Sequence, residues 1–248
     1  FGSLKGAVSS FQSSLAALAN PEKFTGVAAS ITDTTLASVS ATSKAVTGSH
    51  SMEIQTLAQS QKLKSANFAT TGTTIGSGTM TIQFGTYSGG TFTLNSDKAA
   101  QSITISPSNS SLAGIRDTIN LANVGVTASI VNDGTGNRLV IASEDTGLSN
   151  ALKITTTDAD TNNTDNAGLS QLIYDASTGG TTNLTETVAA SNATLVIDGI
   201  SISKASNRIT DAIEGVTVDL LKANIGTATT LNLSRDTASI QSAVSSFV

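Results

Sequence analysis

Val126-Thr127-Ala128-Ser129-Ile130-Val131 and Leu139-Val140-Ile141, joined by Asn132-Asp133-Gly134-Thr135-Gly136-Asn137, decide how the middle of this chain is read. Alternating or β-branched apolar residues place side chains on opposite faces with a period of two, which is the signature of a strand. The Asp-Gly step between the runs tolerates the positive backbone angles of a tight reversal, so the stretch predicts a β-hairpin. The same grammar recurs at Met80–Phe84, Thr91–Leu94 and Ile103–Ile105, and in the pair Leu195–Ile197 and Ile200–Ile202 around Asp198-Gly199. From Ser111 to Asn120 the period changes, with Leu112, Ile115 and Ile119 at helical spacing, so one short helix interrupts the strands.

Outward from this core a partial repeat is visible. The segment from Met80 to Val131 reads strand, strand, helix, then Gly125-Val126-Thr127 and a strand. The segment from Thr194 to Leu221 reads as two strands, a helical Asn207–Ile213, then Gly215-Val216-Thr217 and a strand. Identity is low in so Thr-rich a chain, but the pattern predicts two related β-β-α-β units, the first inserted within the second. The polar run from Asp158 to Thr194 reads as a surface loop and connection.

The ends differ. Phe1, Leu4, Val8, Phe11, Leu15 and Leu18 follow a 3,4,3,4,3 spacing, a coiled-coil seam that Asn20-Pro21 is expected to stop. After Asp236, a good N-cap, Ile240, Val244 and Phe247 repeat at spacings of four and three. The two helices are expected to pack together, although spacing alone fits an ordinary amphipathic helix at each end equally well. With no initiating Met, the sequence reads as an internal fragment.

Composition narrows the function classes. Charged residues are 12% of the chain, about half of the usual 25%, and Cys is absent. Disulfides, thiol catalysis and Cys-ligated metals are therefore excluded. A net charge of -5 argues against a nucleic-acid surface, and the apolar runs are too short for a transmembrane helix. The lone His50 cannot form a His-pair metal site and reads as structural. Asp158-x-Asp160-x-Asn162 mimics the start of a calcium loop, but Asn163 stands where the loop needs Gly and Leu169 where it needs Glu, so a solvated loop is expected. Ser201 and Lys204 have a Ser-x-x-Lys spacing on a strand rather than at a helix start, so a polar strand face is expected. Asp133-Gly134-Thr135-Gly136 lacks the Lys of a phosphate loop. Sequons at Asn109, Asn162, Asn183, Asn192 and Asn232 are expected by chance. No catalytic, cofactor-binding or metal residue is predicted, and an enzyme is not expected.

Three stretches together resemble the flagellar filament cap family, FliD or flagellar hook-associated protein 2. They are Met52–Phe68 with its Leu57-Ala58-Gln59; Ser111–Asn120 running through Gly125–Val140; and Ile197–Ile200 with Ser206–Ile209, Ile213–Thr217 and Asp236. The resemblance implies an α+β, mostly β chain with two related head domains, the outer inserted into the inner, and a helical stalk formed by both ends. On that frame residues 1–44 are N-terminal stalk helices, 45–72 and 190–235 the inner head, 73–189 the outer head, and 236–248 the start of a C-terminal stalk helix. It further implies an extracellular homo-oligomeric ring at the filament tip, promoting flagellin folding and insertion beside other flagellar axial proteins, with no nucleic acid, membrane or cofactor. A host mucin or surface is left open as a partner of the heads, for instance through Asp158–Gly180. The alternatives are another axial protein, of hook–filament junction or flagellin type, and a secreted adhesin.

Overall fold

The computed structural model describes residues 2–18 and 25–245. The expectations placed on Phe1, Asn20-Pro21 and Phe247, and on the side chains of Leu18 and Ile240, lie outside the described residues. The chain divides into two units: Phe1–Leu57, Thr194–Ser203 and Asn207–Val248 form one, and Ala58–Ala193 with Lys204–Ser206 the other. The second is thus inserted into the first, and both are rich in strands.

The enclosing unit holds two sheets. In the five-stranded one the order is β1 (Val27–Ile31), β16 (Thr229–Arg235), β3 (Gly48–Thr56), β12 (Ala193–Ile197) and β13 (Ile200–Lys204). In the three-stranded one β15 (Val216–Leu220) lies between β14 (Arg208–Ile209) and β2 (Ala37–Ala41). Alternation sets the buried face: Met52, Ile54, Leu195 and Leu231 are fully buried, and Val216, Val218 and Leu220 nearly so. Asp198 and Gly199 both take positive φ, 50° and 83°, so the turn between β12 and β13 has the two-residue geometry that the Asp-Gly step favours.

Two strand-level expectations are corrected here. Residues 27–44, expected as stalk helix, carry β1 and β2 instead. Small Ala and Ser residues hid their period-two pattern, and an Asp33 turn, in which Thr35 N–H donates to Asp33 Oδ1 at 2.9 Å, reverses the chain between them. Asn207–Ile213, expected as a helix, holds the short strand β14 and then turns. Arg208 opposes Asp219 and bonds its carboxylate at 3.1 Å, so Ile209 is buried through a strand pair. The few residues left before β15 must reverse the chain and cannot complete a stable helix. Among the described residues the β-β-α-β pattern therefore keeps its helix in the inserted unit and loses it at 207–213.

The inserted unit has two four-stranded sheets. In one, the eleven-residue β5 (Gly78–Ser88) pairs with β10 (Ala151–Asp158), β6 (Thr91–Leu94) and β7 (Gln101–Ile105). The other runs β11 (Thr185–Val188), β4 (Lys62–Lys64), β9 (Asn137–Ser143) and β8 (Val126–Asn132). The strand pairs of both sheets are antiparallel, and the β8–β9 hairpin closes with Asn132 opposite Asn137. One apolar cluster joins Met80, Ile82 and Phe84 to Leu139 and Ile141.

The Leu112–Ala122 helix lies against that cluster through Leu112, Ile115 and Ile119. Ser111 caps it by accepting Gly114 N–H at 3.1 Å. Asn120 then clamps it to β8: its Oδ1 accepts Ala128 N–H at 2.7 Å and its Nδ2 donates to Ala128 O at 2.9 Å. That amide stands in for a neighbouring strand. Gly125 follows with φ 82°, where a Cβ would lie 3.1 Å from the Phe84 ring, so the turn into β8 requires glycine.

Candidate interaction surfaces

The residues singled out for chemistry are held in structural bonds. His50 Nδ1 donates to Asp198 Oδ2 at 2.7 Å, and Ser51 N–H donates to Asp198 Oδ1 at 2.8 Å, so the carboxylate ties β3 to the β12–β13 turn. The His50 bond, then the Ser51 bond, hold the Asp198 carboxyl below its ordinary value of 3.8. Asp133 Oδ1 accepts Thr135 Oγ1–H at 2.6 Å, and Arg138 Nε–H donates to Oδ2 at 2.6 Å; these bonds depress its carboxyl as well. The Asp133-Gly134-Thr135-Gly136 run is thus a pinned hairpin turn. Ser201 and Ser203 are exposed on β13, as a polar strand face requires.

Asp158 departs from the solvated loop expected of it, being only 6% exposed. Its Oδ2 accepts Ser170 N–H at 2.8 Å, its own N–H donates to Asn163 Oδ1 at 2.7 Å, and Ser170 Oγ–H lies 2.7 Å from Asp165 Oδ1. Gly168 sits at φ 54° with no room for a Cβ beside the Asp158 carboxylate. Asn183 Nδ2 donates to Asp165 O at 2.6 Å and Ser170 O at 2.8 Å. The polar residues of a half-formed calcium motif instead fold the loop onto itself around one buried carboxylate. Among the described residues no group of three or more acidic or His side chains is gathered for a metal, and no helix is long and apolar enough to cross a membrane.

Apolar side chains also lie at the surface. On the Gly2–Leu18 helix, Leu4, Val8 and Leu15 are between 49% and 66% exposed. That helix touches the Thr237–Ser245 helix, yet these three side chains keep their exposure. Exposed apolar residues at heptad spacing are suited to further helices. Val46, Ile200, Leu221 and Ile225 are also exposed.

One arrangement carried no sequence signal. Gln61, Tyr87, Tyr174 and Glu186 are brought to one cleft of the inserted unit although they span more than a hundred residues of chain. Burial, then the neighbouring Glu186 charge, push the Tyr174 hydroxyl up to about 12.

A β-rich unit inserted into a second β-rich unit, with the Gly2–Leu18 helix before them and the Thr237–Ser245 helix after, defines a helix-flanked protein of two nested β-rich units. The family description "Flagellar hook-associated protein 2 N-terminus" matches residues 1–61, and "Flagellar hook-associated protein 2 C-terminus" matches residues 190–248. The B-type flagellar hook-associated protein 2 of Pseudomonas aeruginosa PAO1 is 34% identical over all of this chain and 51% of its own length. The D1–D2–D3 domains of the flagellar cap protein FliD from Escherichia coli superpose with a TM-score of 0.83 at 34% identity, covering 99% of this chain and 65% of that one. The D2–D3 domains alone give 0.73 at 35% identity, covering 85% of this chain and 99% of that one. The chain belongs to the flagellar hook-associated protein 2 (FliD) family. It spans about half the length of the curated relatives it matches.

Proposed function

We propose that this chain is the head region, with the beginnings of the stalk, of a subunit that caps the distal tip of the bacterial flagellar filament outside the cell. The Ala58–Ala193 unit is the outer head, the sheets of the enclosing unit are the inner head, and the terminal helices lead into the stalk. Copies assemble into a ring under which arriving flagellin subunits fold and insert, alongside other axial proteins. The observation that carries this reading is the exposed seam of Leu4, Val8 and Leu15 beside two nested β-rich units in a chain of this family. Such a seam needs further helices, whereas an isolated adhesin domain has no use for one. Polar, weakly charged heads suit copies that must shift against one another, because few fixed ion pairs have to break. The finer reading, a host mucin or surface at Asp158–Gly180, would use a loop already anchored by Asp158 and Ser170.

The test is to supply the full-length purified protein to a capless strain that leaks flagellin monomers. Filament growth is expected to resume. Continued leakage with correctly folded protein overturns the reading.

A further inference from the structure

The chain has two tyrosines and no tryptophan, and both tyrosines line one cleft of about 220 Å³ in the inserted unit. Tyr87 and Tyr174 meet edge to face, with centroids 6.2 Å apart. Ala151, Ala189 and Ala190 add methyl-lined walls, and Leu148, 47% exposed, forms an apolar rim. The polar atoms of this cleft are already committed, with one exception. Gln61, 1% exposed, accepts Leu152 N–H through Oε1 at 2.6 Å and donates through Nε2 to Glu186 Oε2. Tyr87 Oη–H donates to Leu152 O at 3.3 Å, and Tyr174 Oη–H donates to the same Glu186 Oε2 at 3.4 Å.

The exception is Glu186 Oε1, which accepts no hydrogen bond from the described residues. Nor does any described cation pair with this carboxylate. Leu63 is its cross-strand partner, so Lys62 and Lys64 of β4 alternate to the opposite face. Two donors on Oε2 hold the carboxylate in place while its second oxygen remains available.

These features select a ligand class. Methyl and aromatic walls accept a hydrocarbon stem, and one open carboxylate oxygen in a cleft lined by two tyrosines accepts a cation at its end. A guanidinium would seek two coplanar oxygens, but Oε2 is occupied, so a single-point ammonium fits better. A polyhydroxylated ligand finds no uncommitted hydroxyl or amide, and an anion meets the carboxylate. Glu186 itself sits on β11, which ends its sheet, so a polypeptide lying along it can offer backbone as well as side chain. We propose that this cleft receives the lysine side chain of a polypeptide lying along β11. This inference goes beyond the cap reading and does not depend on it.

The tyrosines supply the readout, since tyrosine emission of this chain arises only from rings in the cleft. The 248-residue chain is titrated with Nα-acetyl-Thr-Lys-Thr-amide, with the same peptide acetylated at Nζ, and with n-butylammonium. The lysine peptide is expected to give a saturable change, the Nζ-acetylated peptide none, and butylammonium a weaker one. Glu186→Gln keeps an oxygen for Gln61 but loses the charge, and should weaken the lysine peptide about tenfold or more. Circular dichroism confirms that the variant is folded. The proposal is overturned by no saturable change in the parent chain, by equal binding of the acetylated peptide, or by unchanged affinity in Glu186→Gln. Butylammonium binding as tightly as the peptide overturns the polypeptide source.

Discussion

Thr56 and Thr194 oppose one another across the β3–β12 pair, with their hydroxyl oxygens 2.7 Å apart, although 138 positions separate them in sequence. The Ala58–Ala193 segment thus leaves and rejoins the chain at neighbouring points of one antiparallel ladder. Replacing 58–193 by an Asn-Gly turn is expected to leave the enclosing unit folded, because two antiparallel strands this close need only a two-residue reversal. Far-UV circular dichroism and a cooperative urea transition of the deletion variant check this. A non-cooperative transition would show that the enclosing unit depends on its insert.

The Asp158–Ser170 bond predicts a stability loss without any metal effect. Asp158→Ala removes the buried acceptor of Ser170 N–H at 2.8 Å, and should cost about 1–3 kcal/mol in urea unfolding. Millimolar calcium should leave the Tm of the parent chain unchanged. A calcium-dependent rise in Tm that Asp158→Ala abolishes would show that the loop binds the ion.

At the β12–β13 turn, the depressed Asp198 carboxyl fixes the sign of a pH effect. A carboxyl lowered by folding stabilises at pH values above its unfolded value near 3.8, and that contribution is lost as the pH falls through the lower folded value. Asp198→Asn should therefore melt lower than the parent at pH 5–6, with the difference shrinking toward pH 2. Parallel melting curves across that range would refute the assignment. Asp198 is exposed at the surface, so the effect should be modest.

In the inserted unit Ile115 is fully buried in the cluster that the Leu112–Ala122 helix shares with both sheets. Ile115→Ala should cost about 2–5 kcal/mol by leaving a cavity that rigid sheets cannot close. Denaturant midpoints at constant m-value measure it. A loss under about 1 kcal/mol would mean that the helix is not integral to this core.

The seam predicts a separation of folding from assembly. Val8, 49% exposed, should tolerate Val8→Glu with less than about 0.5 kcal/mol change in stability. In the full-length protein the same change should weaken self-association, read by sedimentation velocity. Unaltered association would remove this seam from the oligomer contact.

Most strands were legible because a period of two survives wherever Val, Ile and Leu carry it, as in Met80–Phe84 and Leu139–Ile141. The Ser111–Asn120 helix was legible for the complementary reason, its cap and its spacing both being local. Where Ala and Ser replaced large side chains, at 27–31 and 37–41, the pattern lost contrast and strands passed as helix. In Thr229–Arg235 Leu231 and Leu233 alternate with Thr, Asn and Ser, so β16 carries the same local period. Asn207–Ile213 failed differently: its helical spacing was real, but pairing of Arg208 with Asp219 won over propensity.

Composition, turn chemistry and periodicity are properties of short windows, and they determined by themselves that this is a mostly β, Cys-free chain with helical ends and hairpins at Asp133-Gly134 and Asp198-Gly199. The burial of Asp158, the clamp of Asn120 on Ala128 and the meeting of Thr56 with Thr194 were decided only in the tertiary structure. So was the gathering of Gln61, Tyr87, Tyr174 and Glu186, since polar side chains carry no periodic signal and their partners are chosen by strand order and register. A buried polar group takes whatever complementary atom the fold brings within hydrogen-bond reach, and local sequence does not encode that distance.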